Sequence, residues 1–324
     1  MKTALLEWLA CPACRGTLRL AQPVHQGEEI VSGALGCESC SRAYPIVRGI
    51  PRFVADDSYA GNFSFEWNRF QTTQLDSRQQ RGESERRFRQ SLDIPLEQLK
   101  GQLVLDAGCG MGRFAEIALH HGATVVAMDL SFAVDAAAKN LSPQPDAHVV
   151  QANLFALPFR PETFDLIYSL GVLHHTPNPR KAFEGLVELL KTGGKISVTL
   201  YSGYNTVYVR STSFWRFALK RLPGRWLYRL SHLAIPYYHL CRIPLLGLGF
   251  QALFPISMHP DPEWRVLDTF DCYSPTYQSY HTHHEVFRWF KEANLTGVEV
   301  LEPGISLIGG KRTVSDKRQA TSST

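Results

Sequence analysis

Residues 103–112 read LVLDAGCGMG, an apolar run that ends in Asp106 and is followed by Gly108, Gly110 and Gly112 at two-residue spacing. Glycine at these points lets the backbone turn sharply against a bound nucleoside, because no Cβ fills the space the ligand needs. An acid ahead of G-x-G-x-G differs from the G-x-G-x-x-G of a dinucleotide pyrophosphate site and suits a cationic, phosphate-free ligand. A second acid, Asp129, closes the apolar run of residues 123–128, where a carboxylate can accept both hydroxyls of a ribose. Another chemical group lies near the amino terminus. Cys11 with Cys14 and Cys37 with Cys40 form two C-x-x-C pairs, separated by a stretch containing Gly27, Gly33 and Gly36 that is long enough for a hairpin. Four thiolates so paired make a closed tetrahedral zinc site, which folds a module and leaves no position for catalysis. A redox C-x-x-C would open a helix in a βαβ unit, and neither pair does. Disulfides fit poorly with an odd total of seven cysteines, Cys109, Cys241 and Cys272 being left over, and with an amino terminus unlike a secretory signal.

These groups need elements to hold them. The apolar run ending at Asp106 reads as a strand, and a second apolar run ends at Asp129. Residues 79–92 read as a charged, one-faced helix, with Pro95 marking the break before the sheet. Arg86, Arg87 and Arg89 on it are expected to form a solvated face balanced by Glu83 and Glu85. Thr282 with Glu285 three residues on makes a capping box for a helix over residues 286–294. That capping is the preferred account of the neighbouring His281, His283 and His284, ahead of a metal site. Residues 298–301 and 305–308 pair around Pro303 and Gly304 as a terminal hairpin, followed by a polar, disordered tail after Lys311.

The span of residues 99–202 resembles a class I S-adenosylmethionine-dependent methyltransferase, in the branch that includes the quinone-biosynthesis C-methyltransferases. The resemblance implies a Rossmann-like seven-stranded α/β sheet with a terminal antiparallel hairpin. It also implies that Asp106, Gly108, Gly110 and Gly112 contact the methionine moiety and that Asp129 holds the ribose. Asn153, in VVQANLFALPF (149–159), stands where the family has an Asp that accepts from the adenine amino group, and an amide oxygen can accept the same bond. Ser169 ends the fourth strand on the cofactor side, and the loop GVLHHTPNP (171–179) faces substrate, which makes His174 and His175 catalytic candidates. Asp165 is expected only to brace its strand, and Gly193 and Gly194 to form the loop before the fifth strand. The block DTFDCYSPTYQSYHTHHE (268–285) is similar to one found before the final hairpin in several methyltransferases of this branch. It implies that Asp271, Tyr273 and Tyr277 line the acceptor site together with His281, one of them serving as general base. Residues 1–54 resemble the small zinc-ribbon protein that activates several methyltransferases, down to its closing YPIVRGIP (44–51). The zinc ribbon is thus expected fused in cis to a catalytic domain.

The chain has 324 residues, 44% of them hydrophobic and 20% charged, which suffices for one large domain with small additions. The expected division is a ribbon at 1–54, a helical cofactor-covering segment at 55–99, a cofactor-binding core at 100–202, a helical lid at 203–268, a returning helix and hairpin at 269–312 and a tail at 313–324. No apolar run approaches the roughly twenty residues of a transmembrane helix. Absent a signal, and with free thiols, a cytoplasmic setting is expected.

Between residues 189 and 260 there is no Asp or Glu, while Arg210, Arg216, Lys220, Arg221, Arg225, Arg229 and Arg242 alternate with aromatic residues. Helical spacing puts Phe214, Phe217 and Ala218 on one stripe, with Leu222 close by and the basic surface opposite. The favoured role is a lid shaping a pocket for a small, apolar or amphiphilic acceptor. Peripheral contact of residues 203–260 with anionic lipid is a second possibility and a nucleic-acid surface a third. A net charge of only +4 weighs against nucleic acid.

The function expected is in-line transfer of the sulfonium methyl group to a small molecule. The alternatives are an RNA base methyltransferase with an amino-terminal zinc module, for which the Asn-Pro-Pro-Tyr-like base pocket is missing after the fourth strand, and a non-catalytic cofactor-binding partner. The acceptor atom and the oligomeric state are not legible at this level.

Overall fold

The structure, a computed structural model, describes residues 1–54, 66, 69–79, 82–142 and 144–312. The aromatic residues Phe63, Phe65 and Trp67 and the tail at 313–324 lie outside the described residues.

A one-turn helix α1 (Leu5–Trp8) leads into a four-stranded antiparallel sheet of β1 (Leu18–Gln26), β2 (Glu29–Cys37), β3 (Ala43–Val47) and β4 (Ile50–Pro51). This ribbon is too small to bury a core of its own. Its Leu5, Leu9, Ile30, Leu35 and Ile46 belong to the same apolar cluster as Phe159, Phe183 and Phe290 of the large domain.

After a one-turn helix α2 (Asp76–Gln79) and α3 (Glu83–Leu92), the large sheet forms from β5 (Leu103–Ala107), β6 (Thr124–Asp129), β7 (Ala147–Gln151), β8 (Phe164–Leu170), β9 (Leu190–Leu200), β10 (Leu295–Leu301) and β11 (Ile305–Lys311). Its order is β10-β11-β9-β8-β5-β6-β7. The pairs β5–β6, β5–β8, β6–β7 and β8–β9 are parallel, and β11 runs antiparallel to both β9 and β10. The chain goes outward from β5 through β6 to β7, then crosses to β8, so the order reverses beside β5. Crevices at such switch points, outside the carboxyl ends of the strands, receive ligands in open α/β sheets.

Two helices, α4 (Arg113–His120) and α5 (Ala133–Leu141), follow β5 and β6, and α6 (Pro179–Glu188) precedes β9. The insertion contributes α7 (Thr206–Leu219), α8 (Gly224–Ser231), α9 (Ala234–Cys241) and α10 (Gly247–Leu253), then α11 (Pro262–Tyr273) and α12 (His283–Glu292) return the chain to β10. No helix among the described residues is long and apolar enough to cross a membrane.

Some elements depart from the expectations. The helix expected over 79–92 starts at Glu83, because Gly82 ahead of it has a φ of 61°. Gly193 and Gly194 lie inside β9, where a register shift between Phe164 and Leu166 accommodates the extra residues. Thr282 caps α12 by accepting from Glu285 N, and that helix begins at His283, earlier than expected. The stripe on α7 is reversed. Phe214 and Phe217 are 71% and 67% exposed, whereas Arg216 is buried. Its guanidinium donates to the Cys272 and Pro275 carbonyls at 3.0 and 2.7 Å. A cation at a helix carboxyl terminus, bonded to two carbonyls, is a tolerable buried charge. The aromatic face of α7 is left to the outside.

Candidate active site

The turn after β5 takes its shape from three glycines, with φ values of 96° at Gly108, 53° at Gly110 and 94° at Gly112. A Cβ on Gly108 would lie 2.4 Å from the Val172 side chain, so nothing larger fits between the two loops. Gly110 N donates to Asp129 Oδ2 at 2.9 Å, tying the glycine turn to the end of β6. Asp129 Oδ1 accepts from both the amide and the hydroxyl of Ser131, at 2.8 and 2.7 Å. A carboxylate offers about four acceptor sites. Three are taken here, which leaves Asp129 room for one further donor.

A cavity of about 400 Å³ opens at this switch point. Gly108 to Met111, Asp129, Leu130, Ala152, Leu154 and Val172 line one end. This end fits a nucleoside: it has a cradle that a Cβ would fill, a carboxylate with a spare lone pair, and apolar walls for a flat ring. Asp106 lies behind the glycines, outside the lining, 3% exposed and with Oδ2 unpartnered. Burial pushes its carboxyl up to about 8, with the Asp129 charge adding to the rise. Gly112 is also off the lining, packed on Leu141. Asn153 lies outside it too, its Oδ1 accepting from Phe155 N at 3.0 Å to close the turn after β7. Ser169 is fully buried, and its hydroxyl donates to the Ala107 carbonyl at 2.8 Å, bracing β5 against β8. Asp165 likewise braces, accepting from Leu103 N at 2.9 Å.

The other end of the cavity is polar. Glu66, Gln74, Arg87, Arg113, Tyr201, Tyr208, Ser257, Asp268 and Asp271 line it, with Ile256 and Leu267 between them. Tyr201 donates its hydroxyl to Asp271 Oδ2 at 3.0 Å, and Asp268 Oδ2 accepts from Ser257 Oγ at 3.2 Å. Burial pushes both Asp268 and Asp271 up to about 6. Glu66 is fully buried, and burial holds its carboxyl well above the usual range, with the charges of Asp271 and Asp268 adding to the rise.

Of the histidine candidates, only His175 reaches the lining, and burial lowers it to about 3. A base that weak takes few protons near neutrality. His174 is fully buried with both ring nitrogens unpartnered, stacked on the Tyr201 ring at 3.8 Å between centroids. It positions Tyr201 without touching the cavity. His281 bonds Ser279 Oγ and Glu285 Oε1 at 2.8 and 3.0 Å, away from the lining. Tyr273 spends its hydroxyl on the Pro255 carbonyl at 2.6 Å, and Tyr277 is surface-exposed, so neither lines the acceptor end. Asp271 alone of that group does.

Sequence reasoning passed over Glu66, Arg87, Arg113 and Tyr201. Arg87 was assigned to a solvated face, yet Ser84, Phe88 and Ser91 of α3 are buried. Their i, i+4, i+7 spacing places position 87 beside the inward stripe, a signal present in the sequence. The surface pairing expected on that helix is real, with Arg89 and Glu85 at 2.7 Å.

In the ribbon, the four sulfurs of Cys11, Cys14, Cys37 and Cys40 lie within 4.8 Å of one another. A tetrahedral ion with bonds of about 2.3 Å to sulfur sets those spacings at about 3.8 Å, so the cluster can hold a metal ion. The ribbon docks on the outer strand of the large sheet. Phe53 N donates to the Gln151 carbonyl at 2.8 Å, Ala10 N to that of Pro158 at 3.0 Å, and Lys2 Nζ to that of Gln144 at 2.9 Å. Arg52 bridges to Asp135 at 2.7 Å. The exposed edge that β7 would otherwise present is thereby covered.

Residues 105–198 match the model of a methyltransferase domain, and residues 2–49 match that of a Trm112p-like protein. The chain carries a methyltransferase domain behind a Trm112-like one. Among curated relatives, the ubiquinone biosynthesis O-methyltransferase of Coxiella burnetii is 34% identical over 100 residues, 30% of this chain and 43% of that protein. The malonyl-[acyl-carrier protein] O-methyltransferase of Enterobacter lignolyticus is 33% identical over 121 residues, 37% of this chain and 47% of that one. The match thus spans less than half the length of either relative. A solved chain from a complex containing the Haloferax volcanii Trm112 methyltransferase activator shares 15% identity at a TM-score of 0.47, covering 77% of this chain and 97% of its own. Both of these relatives are O-methyltransferases by name, and the motifs leave the acceptor atom open. The matched stretch holds the cofactor half of the sheet, which does not distinguish one acceptor atom from another.

Proposed function

We propose that the protein is an S-adenosylmethionine-dependent methyltransferase acting on a small, amphiphilic molecule. The observation that carries this reading is the hydrogen-bonded pair of the glycine turn and Asp129 at the switch point of the sheet. Gly108, Gly110 and Asp129 would hold the methionine and ribose portions, with Leu130, Ala152 and Leu154 around the adenine. The cofactor supplies a methyl group already activated by positive charge on sulfur. The chain's own work is to align the acceptor and displace water, an effect worth about 7 kcal/mol or more at the upper range of proximity effects. An acceptor that must lose a proton would give it to Asp271, whose value near 6 suits a base at neutral pH.

In this reading Cys11, Cys14, Cys37 and Cys40 hold a structural zinc, and the ribbon acts in cis as a cap on the β7 edge. The division into ribbon, covering segment, core, helical lid and returning hairpin belongs to the same proposal. So does a peripheral contact of residues 203–260 with an anionic membrane surface, supported by Leu245 and Leu248, 99% and 84% exposed, in an insertion that carries arginines and no acid.

Calorimetry with S-adenosylmethionine tests the reading. Wild type is expected to bind at one equivalent, and Asp129→Ala to lose tenfold or more in affinity. No binding by folded wild type removes every enzymatic reading and leaves a metal-stapled α/β scaffold.

A further inference from the structure

The pocket expected for an apolar or amphiphilic acceptor has a polar second end, where Glu66 meets Asp268 and Asp271 of α11. Glu66 is the informative member. It is fully buried, lines the cavity, and neither carboxyl oxygen has a hydrogen-bond partner. A buried carboxyl group left without a partner costs free energy that a bound ligand can recover. Asp271 differs in that Tyr201 occupies one of its oxygens from one side.

Three acids by themselves would call for a cation. The charge is balanced, however, by Arg87 and Arg113 on the same lining and by Arg216 behind it, tied to backbone carbonyls. The chamber therefore does not lack positive charge; it offers a ligand both unpartnered carboxyl oxygens, on Glu66, and an unpartnered donor, Arg87 Nε, a pair that suits a hydroxyl, which donates and accepts at once. Ile256 and Leu267 supply flat apolar contact between the polar groups.

We propose that this chamber is a hydroxyl-recognition site: the methyl acceptor is a neutral molecule with an O–H group, a phenol or an alcohol on an apolar body, bonded by Asp271 and Glu66. This rests on the methyltransferase reading and narrows it. In the transfer that follows, the hydroxyl oxygen forms a bond to the methyl carbon, the carbon–sulfur bond breaks with its electron pair going to sulfur, and the hydroxyl proton passes to the Asp271 carboxylate.

Calorimetry on the full chain tests this with p-cresol, 4-methylanisole and 4-methylbenzylamine as probes, each added after saturation with S-adenosylhomocysteine. These probes share one ring and differ in offering a neutral hydroxyl, no donor, or a cation. Wild type is expected to prefer p-cresol to 4-methylanisole by tenfold or more. Asp271→Asn and Glu66→Gln should each cut that preference at least threefold while leaving S-adenosylhomocysteine affinity unchanged. Tyr201→Phe, which keeps the ring and frees Asp271, provides a further variant should either carboxylate replacement fail to fold.

Equal binding of the three probes, no detectable binding at millimolar concentration, or preference for the amine overturns the hydroxyl assignment while the cofactor reading stands. Failure of wild type to bind S-adenosylhomocysteine overturns the methyltransferase reading itself, and this inference with it.

Discussion

At the residue scale, two kinds of group shape the cleft. Gly108, Gly110 and Asp129 act through backbone geometry and a fixed network, so their roles are written in residue type and spacing. The acids at the far end act through burial, which residue type alone does not specify. Asp268 shows the cost. Burial raises its carboxyl from 3.8 to about 6, so between these values the folded chain holds a proton that the unfolded chain has released. Stability therefore falls as pH rises through that window, and the deficit, on the order of 3 kcal/mol, is complete above about pH 6. Asp268→Asn removes the ionisation while keeping an oxygen for Ser257. The variant is expected to be more stable than wild type by about 1–3 kcal/mol near pH 7.5, with the advantage gone below about pH 4, as read by urea denaturation at the two pH values. An advantage that persists at low pH would mean the gain comes from packing. Retaining a destabilising buried acid is the kind of trade a ligand-binding site makes.

At the scale of elements, the ribbon and the sheet form one folding unit. The cluster that contains Leu9, Ile30 and Leu35 is continuous with that of Phe159 and Phe290, and the docking carbonyls lie at the end of β7 and in the loops on either side of it. Structural metal binding supplies folding free energy directly. Wild type is expected to hold one equivalent of zinc and Cys37→Ser less, measured by mass spectrometry of metal. The replacement should also bring aggregation at a lower temperature by light scattering, and do so before cofactor affinity falls, because the glycine turn sits at the switch beside β5, two strands inward. A wild-type preparation fully folded without metal would contradict this. The lid helices illustrate the opposite dependence. On α7 the buried positions include Thr212 and Arg216, because Arg216 completes carbonyls at the end of α11. The aromatic stripe, read from periodicity as a core face, is an outer one.

For the whole molecule, that reversal leaves Phe214 and Phe217 exposed on the helix that carries Tyr208 into the cleft, and Leu245 and Leu248 are exposed further along the same acid-free, arginine-bearing insertion. Co-sedimentation with phosphatidylglycerol vesicles is expected to capture the protein, less so as salt rises, and Leu245→Glu with Leu248→Glu to abolish capture without changing S-adenosylmethionine affinity. Equal capture by neutral phosphatidylcholine vesicles would remove the electrostatic part of this account. Glycine spacing, strand-ending acids and paired cysteines determined, without coordinates, the glycine turn and the four-sulfur cluster, because backbone conformation and metal geometry each demand particular residues at short, fixed separations. Only the tertiary structure decided which of His174, His175, Tyr273, Tyr277, His281 and Asp271 meets the cavity, and that Glu66, Arg87 and Asp268 join it. Those residues come together from segments distant in sequence, and burial, which sets both their charge and their access, depends on how those segments pack.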